Sequence, residues 1–186
     1  VQYTGFVAQA SDGPGHTPVP ETAPTGYGVP LILASVGGGR VGYELLNGAV
    51  QASSLLAPRR PHRMLVLTGP YMPDSEYDRL RNLTAHAPHI EVRRFSHSFQ
   101  TLMAQAAVSI SMAGYNTCMN IAAAQVPALV WPFPQNREQS LRAGRLARLG
   151  VLRVLAQEEL HPRRLSSLLQ EGLSLHSRST VDMDLN

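Results

Sequence analysis

Between Ala107 and Gln139 the chain reads AVSISMAGYNTCMNIAAAQVPALVWPFPQNREQ, and this stretch leaves little freedom of fold. An apolar run of strand length, Val108 to Ser111, breaks at Met112-Ala113-Gly114. Small residues from about Asn116 to Ala124 suit a helix, and Ala128 to Trp131 make a second strand that Pro132 closes. The pattern predicts one βαβ unit, the building block of a parallel sheet. Its two outgoing turns, at Gly114 and from Pro132 to Gln139, then share the C-terminal edge of that sheet, where open α/β folds bind ligands.

The rest of the chain repeats the alternation. Pro30 to Val36 is a buried-strand run that ends in Gly37-Gly38-Gly39, and Val41, Leu45, Ala49, Ala52 and Leu56 follow at helical spacing until Pro58. Met64 to Thr68 predicts a strand ending at Gly69-Pro70, and Asp74 to His86 a helix with Asp74 as its N-cap. Ile90 to Phe95 predicts a strand and Phe99 to Ala106 a short helix. Beyond the central unit, Glu138 to Leu149 predicts a helix burying Ala143, Leu146 and Ala147, with Gly150 as its stop. Val151 to Leu155 reads as a last strand, and Leu160 to Leu169 as a last helix with Pro162 in its first turn. Strands alternating with helices of this length predict a Rossmann-like, doubly wound α/β sheet.

The divisions expected along the chain are four. Residues 1–8 have the composition of a strand, and residues 9–28, dense in Pro, Gly, Ser and Thr, read as a flexible linker. Residues 29–172 form the ligand-binding domain, and residues 173–186 a polar tail. A 20-residue loop inside a compact domain is unusual, so an interdomain position suits 9–28 better. The chain opens on Val1 without an initiator methionine, which reads as a fragment of something longer.

Composition narrows the function. Hydrophobic residues make up 44% and charged residues 16%, a globular profile with no run long enough to span a bilayer. The formal charge of +3 comes from arginine alone, spread over several predicted helices without interleaved aromatics, which argues against nucleic acid as a partner. One cysteine, Cys118, excludes an internal disulfide and fits a reducing, cytoplasmic compartment. Seven histidines show no metal-ligand spacing, so no metal site is expected.

Three turns could carry chemistry. Gly37-Gly38-Gly39-Arg40-Val41-Gly42 lies between a strand and a helix, where backbone N–H groups and the helix dipole favour an anion. Its spacing is neither G-x-G-x-x-G nor a Walker A loop, and a tight turn with no ligand explains it as well. Ala113-Gly114-Tyr115-Asn116-Thr117 is a second such turn, in which Asn116 or Thr117 could simply cap the helix; Asn120 lies one helical turn on. Pro132 to Gln139 is a stiff loop leading into a helix, where Glu138 and Gln139 could simply face water, or Gln139 could meet sugar hydroxyls. His97 is a candidate base or a lone surface histidine, and Cys118 a buried helix residue rather than a nucleophile.

Taken in order, Gly37-Gly38-Gly39, Phe95, Ser111 to Thr117, Pro127-Ala128-Leu129 and Pro132 to Ala143 resemble the C-terminal, donor-binding half of GT-B glycosyltransferases of family 28. The resemblance runs from about Tyr3 to Leu169 and implies one half of a GT-B fold. It implies a nucleotide-diphosphate sugar, first of all a UDP-sugar, as substrate rather than a cofactor. By position, Gly37, Gly38, Gly39, Arg40 and Gly42 with Ala113, Gly114, Tyr115, Asn116 and Thr117 would hold the diphosphate. Phe95, Ser96 and Asn120 would meet the base and ribose, and Gln139 and Arg142 the donor sugar. In this resemblance Asn120 stands where the family carries a ribose-binding Glu, and Gly39 and Arg142 stand where the family's peptidoglycan-precursor N-acetylglucosaminyltransferases have a Ser and an Asn. The catalytic base and the acceptor site would belong to an N-terminal domain, which would also make any peripheral membrane contact. Two other functions fit the same features: half of a sugar-nucleotide 2-epimerase, and a non-catalytic donor-binding subunit of a split transferase.

Overall fold

A computed structural model describes residues 28–175. Six strands lie in one sheet: β1 (Leu31–Ser35), β2 (Arg63–Leu67), β3 (Ile90–Arg93), β4 (Val108–Met112), β5 (Ala128–Trp131) and β6 (Arg153–Val154). Every pairing is parallel and the order is β3-β2-β1-β4-β5-β6. Five helices make the connections, α1 (Tyr43–Leu56), α2 (Asp74–Thr84), α3 (Phe99–Gln105), α4 (Tyr115–Ala124) and α5 (Arg137–Arg148), and α6 (Pro162–Ser174) follows β6.

The apolar runs form strands because the sheet is covered on both faces and each strand must be apolar on both. Ile32, Ala34, Val36, Met64, Val66, Val108 and Ile110 pack with residues of α1 and α6 in one core cluster. Leu31, Leu33, Leu65, Leu67 and Val130 point the other way and pack with residues of α3, α4 and α5. Burying a leucine or isoleucine side chain stabilises by about 1.5–3 kcal/mol, so these two layers dominate the stability. From the C-terminal ends of neighbouring β1 and β4 the chain leaves to opposite faces, by the β1-α1-β2 and β4-α4-β5 crossovers. Their helices therefore diverge and leave a crevice at the C-terminal ends of these two strands.

Local details follow the sequence closely in places and depart in others. Gly150 ends α5 in the left-handed conformation (φ 72°), with Gly150 N–H bonded to Ala147 O and Val151 N–H to Leu146 O, both at 3.0 Å. That is a Schellman stop, as the glycine predicts. Val41, expected on the buried face of the first helix, is instead exposed and precedes it, because left-handed Gly42 delays the helix to Tyr43. Asp74 is the first residue of α2 rather than its cap; its carboxylate turns to Arg94 instead. The third and last strands are shorter than their apolar runs, ending at Arg93 and spanning only Arg153–Val154. Helix α6 continues to Ser174, into the stretch expected as tail, because Leu168, Leu169 and Leu173 extend the stripe buried with α1. The strand expected at residues 1–8, the linker up to residue 27 and the tail from residue 176 lie outside the described residues.

Candidate functional site

A cavity of about 290 Å³ opens at the C-terminal edge of the sheet, where β1 and β4 part. Four separate segments contribute to it: Gly37 from the loop after β1, Gly69 after β2, Phe95 and Ser96 after β3, and Asn116, Thr117 and Asn120 from α4. Its lining divides by chemistry. Leu67, Phe95 and Phe99 are apolar, whereas Ser35, Asn116, Thr117 and Asn120 carry hydroxyls and carboxamides. Phe95 is 56% exposed, a large apolar surface held out at the rim with His97 edge-on to it at 4.8 Å. His97 thus braces Phe95, and it does not line the cavity.

Glycine placement separates what the fold requires from what it leaves open. Gly39 has φ 87°, and a Cβ there would lie 2.2 Å from the Thr68 carbonyl oxygen. Gly69, φ 80°, would put a Cβ 2.2 Å from Gly37 O, so the loops after β1 and β2 interlock and neither tolerates a side chain. Tyr71 N–H seals the contact by donating to Gly38 O at 2.9 Å. Gly114 is different. Its backbone is extended (φ −63°, ψ 149°), and a Cβ would meet only Thr117 Oγ1 at 3.6 Å. The fold itself does not require glycine at this entrance to α4.

Donors for an anion are present at both turns. The backbone N–H groups of Gly37 to Val41 have no acceptor among the described residues, and α1 begins two residues later without a side-chain cap. The start of α4 likewise lacks a side-chain cap, so neither Asn116 nor Thr117 serves as one. Such uncapped N–H groups and the positive end of the helix dipole suit a phosphate. Arg40 reaches over the Tyr71 ring at 5.5 Å, at the rim of the glycine loop.

The expected site residues do not all meet. Gly37, Phe95, Ser96, Asn116, Thr117 and Asn120 share the cavity. Arg40 and Gly42 line a second, more open depression of about 500 Å³ with Phe133 and Gln135. Gly38 and Gly39 line neither, and Ala113 is wholly buried. Gln139 Oε1 accepts from Phe133 N–H at 3.0 Å, while Gln139 N–H donates to Asn136 Oδ1 at 3.1 Å, the N-cap of α5. Arg142 donates through Nη1 to Ala113 O at 2.9 Å and lies over the Tyr115 ring at 5.4 Å. Both residues therefore brace the loops around α4 and α5 in this conformation. Cys118 is buried, which pushes its thiol up to about 11 and leaves it inert. Sequence reasoning missed Ser35, Leu67, Phe99 and Arg94, which also line the cavity. Only a hydroxyl at the end of an apolar strand marked Ser35 beforehand. Arg94 is tied to Met72 O at 2.8 Å and paired with Asp74.

A six-stranded parallel sheet wound in this order, with a crevice at its switch point, is a Rossmann-like half of the GT-B glycosyltransferase fold. The glycosyltransferase family 28 C-terminal domain matches residues 33–184, and the chain belongs to that family. Among curated relatives, the UDP-N-acetylglucosamine–N-acetylmuramyl-(pentapeptide) pyrophosphoryl-undecaprenol N-acetylglucosamine transferase of Synechococcus sp. is 31% identical over 160 residues. That match covers 85% of this chain and 42% of the relative. Among solved structures, MurG of Acinetobacter baumannii superposes with a TM-score of 0.64 at 25% identity, covering 76% of this chain and 41% of that one. The spinosyn rhamnosyltransferase SpnG superposes with a TM-score of 0.68 at 18% identity, covering 94% and 45%. The chain spans about two-fifths of the length of the curated relatives it matches.

Proposed function

We propose that this chain is the donor-binding half of an inverting, metal-independent glycosyltransferase whose donor is a nucleotide-diphosphate sugar, first of all a UDP-sugar. One observation carries the proposal: Gly37, Phe95, Ser96, Asn116, Thr117 and Asn120, drawn from loops far apart in sequence, line one cavity at the sheet's switch point. An apolar wall suits a base, a hydroxyl and carboxamide wall suits a pentose, and the backbone N–H groups of the glycine loop at the entrance to α1 suit a diphosphate. In an inverting transfer the acceptor oxygen displaces the diphosphate from the anomeric carbon of the sugar. Negative charge grows on the leaving group, and donors fixed in advance stabilise it without reorganising. The N–H groups of Gly37 to Val41 and the start of α4 would serve that task here. The base that activates the acceptor, and the acceptor site, are assigned to the remainder of a longer protein working in the cytoplasm. Arg142 spends one N–H on Ala113 O and Gln139 only its Oε1 on Phe133 N–H, so each keeps side-chain donors that a sugar hydroxyl could accept.

Calorimetric titration of the chain with UDP, TDP, GDP and ADP tests the proposal. Binding of at least one tighter than about millimolar, roughly −4 kcal/mol, is expected. If all four bind more weakly than that, the donor-site function fails.

A further inference from the structure

The hydroxyls of Ser35, Ser109 and Ser111 are buried and have no hydrogen-bond partner among the described residues. Strand alternation turns all three to the sheet face that carries α4, the face of Leu31, Leu33 and Ala113. Ser35 and Ser111 are register partners at the C-terminal ends of β1 and β4, where the crevice opens. Of the three, Ser35 lines the 290 Å³ cavity while being only 3% exposed. A buried hydroxyl without a partner is destabilising, and alanine would fill the same place in the strand without that cost. The hydroxyl therefore points to a ligand.

We propose that Ser35 is a specificity-determining residue. Given the nucleotide-binding role proposed above, its hydroxyl bonds a hydroxyl of the nucleotide's pentose, alongside Asn120. Chemistry selects the pentose over the phosphates. Ser35, Thr117, Asn116 and Asn120 can each both donate and accept, as a sugar hydroxyl requires, whereas an ionised phosphate oxygen only accepts. The cation in the lining, Arg94, is already paired with Asp74 and bonded to Met72 O. Ser35 supplies part of the recognition that Asn120, a neutral carboxamide, provides without a carboxylate's charge.

The test uses the 186-residue chain and its Ser35→Ala and Ser109→Ala variants. Each is titrated calorimetrically with UDP, GDP and ADP, then with the 2′-deoxy and 3′-deoxy forms of the tightest binder. Ser35→Ala is expected to weaken the parent nucleotide about tenfold, the worth of one hydrogen bond. Against the deoxy form that lacks the hydroxyl Ser35 reads, the variant and the unaltered chain should bind equally. Ser109→Ala, one rung deeper and away from the cavity, should bind all of them unchanged. Without ligand, Ser35→Ala should melt at or above the temperature of the unaltered chain, because an unpartnered hydroxyl has been removed. A fall of several degrees with weakened binding of every nucleotide would mark a packing role and overturn the proposal. So would equal weakening of the parent and both deoxy forms, which places the contact elsewhere on the nucleotide. Unchanged affinity for the parent overturns the role of Ser35 while the nucleotide site stands. Failure of the unaltered chain to bind any nucleotide removes the site, and the role of Ser35 with it.

Discussion

Two glycines at the edge of the sheet carry opposite meanings. Gly39 is held at φ 87° with its missing side chain facing the Thr68 carbonyl at 2.2 Å, so the interlocked loops of β1 and β2 demand it. Replacing it with serine combines a left-handed backbone with a backbone clash. A loss of about 2 kcal/mol or more is expected in urea denaturation. Gly114 has an ordinary extended backbone and open space around its absent Cβ. Gly114→Val should therefore fold with nearly the native denaturation midpoint and yet bind no nucleotide, since the added side chain fills the approach to the α4 N–H groups. Calorimetry and denaturation of the same sample separate the two outcomes. A valine variant that still binds nucleotide would mean that the diphosphate does not approach this turn.

At the scale of elements, α1 is pinned to the start of β2 by one buried histidine. His62 donates through Nδ1 to Arg60 O, and its Nε2 pairs with the Ser53 hydroxyl, both at 2.7 Å; in the neutral ring that hydroxyl is the donor. His89 stands edge-on to it, ring centroids 5.4 Å apart. Burial lowers the pKa of both below the ordinary value of 6.5, with His89 itself a further, smaller cause for His62. The unfolded chain therefore binds protons first as the pH falls. Stability is complete above about pH 7 and declines as the pH drops through about 6.5 towards the lower folded values. The slope is at most about 1.4 kcal/mol per pH unit for each histidine. Urea midpoints at pH 7.5 and 5.5 should show the fall, and His62→Gln should flatten it at the expense of stability at pH 7.5. Glu159 does not confuse the result. Its carboxylate is held down first by the Ala156 N–H and further by Arg153, so its contribution is lost only below the usual carboxylate range.

For the whole molecule, the cleft expected of a GT-B transferase needs a second half, and the chain covers about two-fifths of its curated relatives. The isolated chain should bind nucleotide and transfer no sugar. Radiolabelled donor with simple acceptors checks this, and measurable transfer by the chain alone would overturn the two-half arrangement.

Much of the architecture was legible because it rests on local rules. Apolar runs of strand length, helical spacing between them and glycine or proline at the turns were enough to predict a doubly wound parallel sheet. Gly150 announced the end of α5 because only a left-handed residue suits that stop. The central βαβ unit likewise stands nearly as read, with β4, α4 and β5 within a residue of expectation. Where helices and strands ended depended on partners remote in sequence. Helix α6 ran on to Ser174 because Leu173 found the core shared with α1, and Asp74 left its capping role for Arg94. The site divided the same way. Motif positions named Gly37, Phe95, Asn116 and Asn120, but only the crossing of the chain between β1 and β4 brought them around one cavity. Tertiary structure alone turned Arg142 onto Ala113 and Tyr115, and alone left the Ser35 hydroxyl buried at the crevice without a partner among the described residues. Periodicity records which face a residue occupies; which groups share a cavity is decided by how the faces are assembled.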